Sequence, residues 1–216
     1  MATNTLTSVP TSFEAEQILN DESFRDAGGG VWTSGRTGNR WLFTLQFINR
    51  NGAGLDDLAA EIMALNGTRN RLQVPMSILN RRQRGTGGGS PVVDGATSAG
   101  AVSIDVNSGA ISTSNWLRRG DWFSIGAELK MCTANVATDS NGDGTIAFWP
   151  ELHNNVADQD AVNIATPAGV CFLVEASGLA GHDYLASGDW IAPGVTLVLE
   201  EDVRATATAT SAEVSA

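Results

Sequence analysis

From Arg40 to Ile48, apolar and polar side chains alternate: Trp41, Phe43, Leu45 and Phe47 fall on one side, Leu42, Thr44, Gln46 and Ile48 on the other. A repeat of two is that of an extended strand. Its first side is wholly apolar and predicts a core-facing surface; its second is mixed and predicts partial cover. Directly downstream the period changes. Leu55, Leu58, Ala59, Ile62 and Leu65 recur at helical spacing, which predicts a helix from Leu55 to Asn66. Asp56 and Asp57 fall in its expected first turn, where carboxylates suit the helix dipole, and Asn66-Gly67 supplies a stop. So short a helix is marginal alone and needs a sheet to pack on.

Shorter β patterns fill most of the remaining chain. Val102–Val106 alternates, and Leu117–Val136 holds Gly120-Asp121, an apolar run, Gly126 and a second run. Thr145–Trp149 pairs naturally with the preceding strand across the turn 139–144, and Ala161–Ala165, Val170–Glu175 and Val195–Glu200 read as further strands. Residues 1–12 are polar and read as an arm; 27–30 is a glycine breaker, 81–91 a solvated linker carrying three arginines, and 178–188 a loop. Glycine makes up 24 of 216 residues, above the usual ~7%, as many tight turns between short strands require. The expected fold is therefore mainly β. Residues 1–85 together with 169–203 form a β-sandwich body with one helix, 86–168 an inserted small β-barrel-like domain, and 204–216, rich in Thr and Ala, a flexible tail.

Charge narrows the function. A net charge of -11 repels the phosphate backbone and argues against nucleic-acid binding. There is no apolar run long enough for a membrane span, and residues 1–17 lack the basic start and apolar stretch of a secretory signal, so folding in a reducing cytoplasm is expected. Cys132 and Cys171 stand far apart without metal or redox spacing and read as buried free thiols.

Candidate chemistry is sparse. Asp139-Ser140-Asn141-Gly142-Asp143-Gly144 matches the first half of a calcium loop, but the twelfth position is Pro150 and β patterns flank it. A hairpin turn explains the same residues. His153 and His182 lack a recognisable nucleophile motif, and Glu14, Glu16, Asp21 and Glu22 read as a solvated acidic surface rather than a carboxylate pair across a cleft. No catalytic residue, cofactor or metal site is expected, and the chain reads as a non-enzyme. Trp116, Trp122, Trp149 and Trp190 sit at strand edges or in loops. Aromatics there serve cores or interfaces, and Trp122, Trp149 and Trp190 are the candidate interface residues.

The order of these segments resembles a known family. Arg40-Trp41-Leu42-Phe43-Thr44-Leu45, then the helix ending Ala64-Leu65-Asn66-Gly67, then Arg71-Leu72-Gln73-Val74-Pro75 is similar to the minor, or distal, tail proteins of tailed bacteriophages. Leu117–Gly126 is similar to their Gly-Asp, apolar, Gly hairpin, and Thr145–Leu152, Ala157-Asp158 and Val170–Val174 follow in that family's order. The likeness spans most of residues 30–200. It implies a structural virion protein, assembled in the host cytoplasm and placed in the tail. Such a subunit forms a homo-oligomeric, hexameric ring that links the tail tube protein to the baseplate hub or fibre. A head or head–tail connector protein, or a carbohydrate-binding baseplate module, is the alternative.

Overall fold

The computed structural model describes residues 2–20, 22–25, 31–34, 38–79, 81, 83–178, 183–184 and 190–204. In chain order the elements begin with β1 (Thr3–Thr5), β2 (Ser12–Ile18), β3 (Glu22–Arg25), β4 (Val31–Ser34), β5 (Arg40–Asn51), α1 (Gly52–Ala64) and β6 (Arg71–Pro75). A second run follows: β7 (Gly89–Val93), β8 (Ser103–Gly109), β9 (Trp122–Ile125), β10 (Glu128–Cys132), β11 (Gly144–Trp149) and β12 (Val162–Asn163). The chain returns through β13 (Ala168–Ser177), β14 (Asp183–Tyr184) and β15 (Trp190–Glu201).

The fold is the mainly-β class expected, with one helix among the described residues. A seven-stranded sheet runs β1-β6-β13-β15-β5-β2, with β14 added on β15. A six-stranded sheet runs β12-β9-β10-β11-β8-β7, and β3 pairs with β4 apart from both. The six-stranded sheet nearly closes on itself. Val92 bridges Ala161 across its two ends, Val93 N–H donates to Asp160 O at 2.9 Å, and Gln159 N–H donates to Val93 O at 2.9 Å. Closure of this kind removes exposed edges. The result is a sandwich-like body bearing a helix and a small barrel-like sheet.

Trp41, Phe43, Leu45 and Phe47 are all buried, as their alternation requires. Leu58 and Leu65 of the helical stretch are fully buried in the same core, and Leu55 and Ile62 nearly so. Each such side chain stabilises the fold by about 1.5–3 kcal/mol relative to exposure. The helix begins at Gly52, so Asp56 and Asp57 lie beyond its first turn and are exposed. Asn66 and Gly67 take positive φ values of 48° and 67° and end it as expected. The barrel core is separate, built on Trp116, Phe123, Ile146 and Leu152, with Phe123 edge-on to Phe148 at 5.6 Å.

Two segments behave otherwise than their composition suggests. Residues 1–12 do not form a free arm. Strand β1 pairs in parallel with β6, Arg71 N–H donates to Ala2 O at 2.9 Å, and Leu6 is buried. One well-placed apolar residue and a free strand edge hold an otherwise polar segment. The arginine- and glycine-rich stretch at 81–91 is likewise no solvated linker. Arg84 and Gly85 N–H groups donate to the Asp121 carboxylate at 2.8 Å each. Gly87 N–H donates to Trp116 O at 2.9 Å, and Trp116 Nε1 donates to Gly88 O at 3.0 Å. The stretch is strapped to the barrel by partners about thirty residues further on, which no local pattern could reveal.

Candidate functional site

The two sheets meet where β5, β10 and β15 approach each other. Trp41 opens β5 on its apolar side. Its ring lies 4.6 Å from Trp122 of β9 at a tilt of 56°, and 4.6 Å from Trp149 of β11 edge-on at 81°. Edge and tilted contacts of this kind match the positive rim of one ring to the negative face of another. Trp41 Nε1 donates to Leu129 O at 3.2 Å, so the indole also bridges the sheets by a hydrogen bond.

Polar clasps surround this aromatic contact. Glu201, at the end of β15, is buried and accepts Leu129 N–H at 2.8 Å on one oxygen and Trp41 N–H at 3.3 Å on the other. Burial pushes its carboxyl up to about 7, against the pull of Lys130 and the two N–H donors. Lys130 is fully buried. Its Nζ lies 2.7 Å from Glu128 Oε2 and donates to Glu151 O at 2.7 Å. Glu128 also accepts His153 N–H at 3.0 Å, Asn154 N–H at 2.9 Å and Asn154 Nδ2 at 2.8 Å. Burial acts to raise the Glu128 carboxyl, but Lys130 and these donors outweigh it and hold it below the usual range. Glu151 accepts Gly38 N–H at 2.9 Å and Asn39 Nδ2 at 3.1 Å. Burial raises it too, and its hydrogen bonds prevail and lower it. His153 is lowered first by burial and then by Lys130, and its Nε2 is buried without a partner among the described residues.

Both Glu201 oxygens hold backbone N–H groups and the residue is 1% exposed. Its chemistry is that of a clasp between strands.

Beside the junction lies a cleft of about 720 Å³, floored by Trp41 and Trp122, bordered by Ala15 and Gln17 of β2, and walled by Arg81 and Arg84. Arg84 Nε stands 3.6 Å from Asp121 Oδ1, with 60% of its side chain exposed. The Arg81 guanidinium sits over the Phe13 ring at 5.3 Å. A second recess of about 440 Å³ lies between Leu152, His153 and Arg204.

Among the candidate interface residues, Trp122 and Trp149 come together with Trp41 inside the chain; Trp122 is 8% exposed and Trp149 half-buried. The side chain of Trp190 lies outside the described residues. The Asp139 segment is a tight turn: Asp139 Oδ1 accepts Asn141 N–H at 2.7 Å and Asp143 N–H at 3.0 Å, and these bonds lower its carboxyl. Cys132 and Cys171 are buried and free. His182 and Asp21 lie outside the described residues, while Glu14 and Glu16 project from the exposed side of β2. Sequence reasoning missed Glu128, Lys130 and Glu201 altogether. The only local signal for Glu128 and Lys130 was a charge at every second position of an otherwise apolar strand, and Glu201 offered none beyond the end of a strand. No helix of the described residues is long and apolar enough to cross a membrane. Comparison with protein-family models finds no match, and comparison with curated proteins finds none.

Proposed function

We propose that the chain is a structural, non-catalytic virion subunit of the distal-tail type, closing with copies of itself into a ring that joins the tail tube to the baseplate hub. One observation carries this reading. The outer side of the seven-stranded sheet is mixed, with apolar residues set among carboxylates, and has no covering layer among the described residues. Register places Phe172, Glu200, Leu42 and Glu16 in one row across four strands, with Glu175, Val198, Thr44 and Glu14 in the next. Phe172, Leu42 and Val198 are each only half-buried. Ion pairs flank them: Arg40 with Glu200 at 2.6 Å, and Arg71 with Asp202. Half-buried apolar residues rimmed by charge on an uncovered sheet side mark a candidate association surface. The two-sheet architecture agrees with what the sequence resemblance implies about the body and its insertion.

Light scattering on a sizing column, with negative-stain images of the same peak, tests the reading. A closed ring of about six subunits is expected by cyclic symmetry, and Phe172→Glu should dissociate it. A monomer at every concentration, alone and mixed with tail tube protein, overturns it, as does antibody labelling of the head instead of the tail tip.

A further inference from the structure

The cleft beside the junction borders the last strand of the sheet. Among the described residues β2 pairs on one side only, with β5. Alternate residues of such a strand turn their N–H and C=O groups away from the partner, ready to accept another strand. Its inward side chains, Phe13, Ala15 and Gln17, lie on the same side as buried Trp41 and Phe43, and the cleft opens against Ala15 and Gln17.

The charge of the cleft is opposite to that of the chain. The protein carries -11 overall, yet two arginines wall this space. Arg81 has no carboxylate partner among the described residues. Arg84 has one, Asp121, whose oxygens already hold the N–H groups of Arg84, Gly85 and Arg118 at 2.8 Å each. A guanidinium that is largely exposed and only partly neutralised is a ready partner for a carboxylate.

From these observations we infer that the cleft is a docking site for an extended acidic peptide, which adds to β2 as a further strand. Its backbone pairs with the free edge of β2. A carboxylate side chain meets Arg81 and Arg84, and an apolar side chain two positions away, about 7 Å along a strand, lies over Trp41 and Trp122. The inference is independent of ring formation, because the ring surface proposed above is the opposite side of the sheet.

The test is fluorescence anisotropy on the full chain with a labelled peptide of repeating Glu-Thr-Val-Thr, about eight residues long to match one strand, which puts glutamate and valine two positions apart on one face. Saturable binding is expected. Arg81→Gln, at an exposed position, should weaken it by about tenfold while leaving the melting temperature in place. A lysine-for-glutamate peptide should bind at least that much more weakly, and N-methylation at alternate residues should abolish binding by blocking strand pairing. Equal binding of the acidic and basic peptides, or an unchanged affinity in Arg81→Gln, overturns the proposal. So does tight binding of both N-methylated registers, or saturable tryptophan quenching by neutral oligosaccharides with no peptide binding. Ring assembly is read separately by light scattering, so failure of the ring and failure of the cleft are distinct results.

Discussion

Replacing Lys130 by methionine removes a fully buried ammonium while nearly keeping its volume. The Glu128 carboxylate, 6% exposed at the side chain, then loses the cation 2.7 Å away, and Glu151 O loses its 2.7 Å donor. Breaking a buried pair from one side costs about 3–5 kcal/mol, because the remaining charge stays buried. The three donors from His153 and Asn154 still hold Glu128, which places the expected loss near the lower end, about 3 kcal/mol. With a urea dependence of about 2–3 kcal/mol per molar, the unfolding midpoint should fall by roughly 1 M at neutral pH. The pH dependence identifies the cause. In the native chain Glu128 is depressed below 4.5, so its contribution is present above 4.5 and lost as pH falls through its folded value. Without Lys130, burial is opposed only by hydrogen bonds and the carboxyl rises. The variant's deficit should therefore shrink as pH falls towards 4.5 and grow again towards neutrality. Lys130→Met combined with Glu128→Gln should recover roughly half of the loss, since no charge is then stranded. A loss below about 1 kcal/mol at neutral pH, with no pH dependence, would refute the reasoning: the pair would then be solvated and the junction open.

Three further outcomes are expected. Glu201, raised from 4.5 to about 7, contributes stability that is present below 4.5 and lost as pH rises through about 7, on the order of 3 kcal/mol in all; Glu201→Gln should flatten urea midpoints across that window, and an unchanged slope would assign it to another group. A Cβ on Gly85 would stand 2.3 Å from Trp116 O, so Gly85→Ala should destabilise by about 1–3 kcal/mol or more and lower the melting temperature, whereas a neutral result would mean the 81–91 stretch is not strapped to the barrel. Burial pushes the Cys132 thiol up to about 12 and Cys171 well above its ordinary value, so neither should react with a thiol reagent in the native protein, and both should react in urea.

The parts of the fold that were legible are those in which local pattern and tertiary role agree. Strand β5 has one apolar side and one core to face, and α1 has one stripe and one sheet to cover. The β9–β10 hairpin turns at Gly126 with φ 59°. Strand β2 was not legible: Ser12–Ile18 offers only Phe13 and Ala15 inward, half-buried, because an edge strand beside an open cleft needs little apolar surface. The barrel's closure was visible only as turn spacing, since the bond between its ends joins Val93 to residues 159 and 160.

Glu128-Leu129-Lys130 shows why the junction itself could not be read. Alternating charges around a leucine have the pattern of a strand with one wet side, yet all three residues are buried, at 5%, 0% and 0% exposure. Strand β10 has no wet side here: the barrel core lies on one side and β5, β13 and β15 on the other. Charge survives in that position because Lys130 and Glu128 pair with each other along the strand and their further partners, Glu151 O and the N–H groups of His153 and Asn154, come from the segment after β11, which no short window of neighbouring residues shows. The tryptophans supply area without direction. Glu201, by contrast, binds one N–H from β10 and one from β5 through a single rigid carboxylate, which fixes how the two sheets meet to within hydrogen-bond tolerance. A wholly apolar junction of the same area could slide by a residue. A shift of that size would take the Leu129 N–H away from Glu201 and leave a buried donor and a buried carboxylate oxygen unsatisfied, a cost the displaced aromatic contacts do not regain.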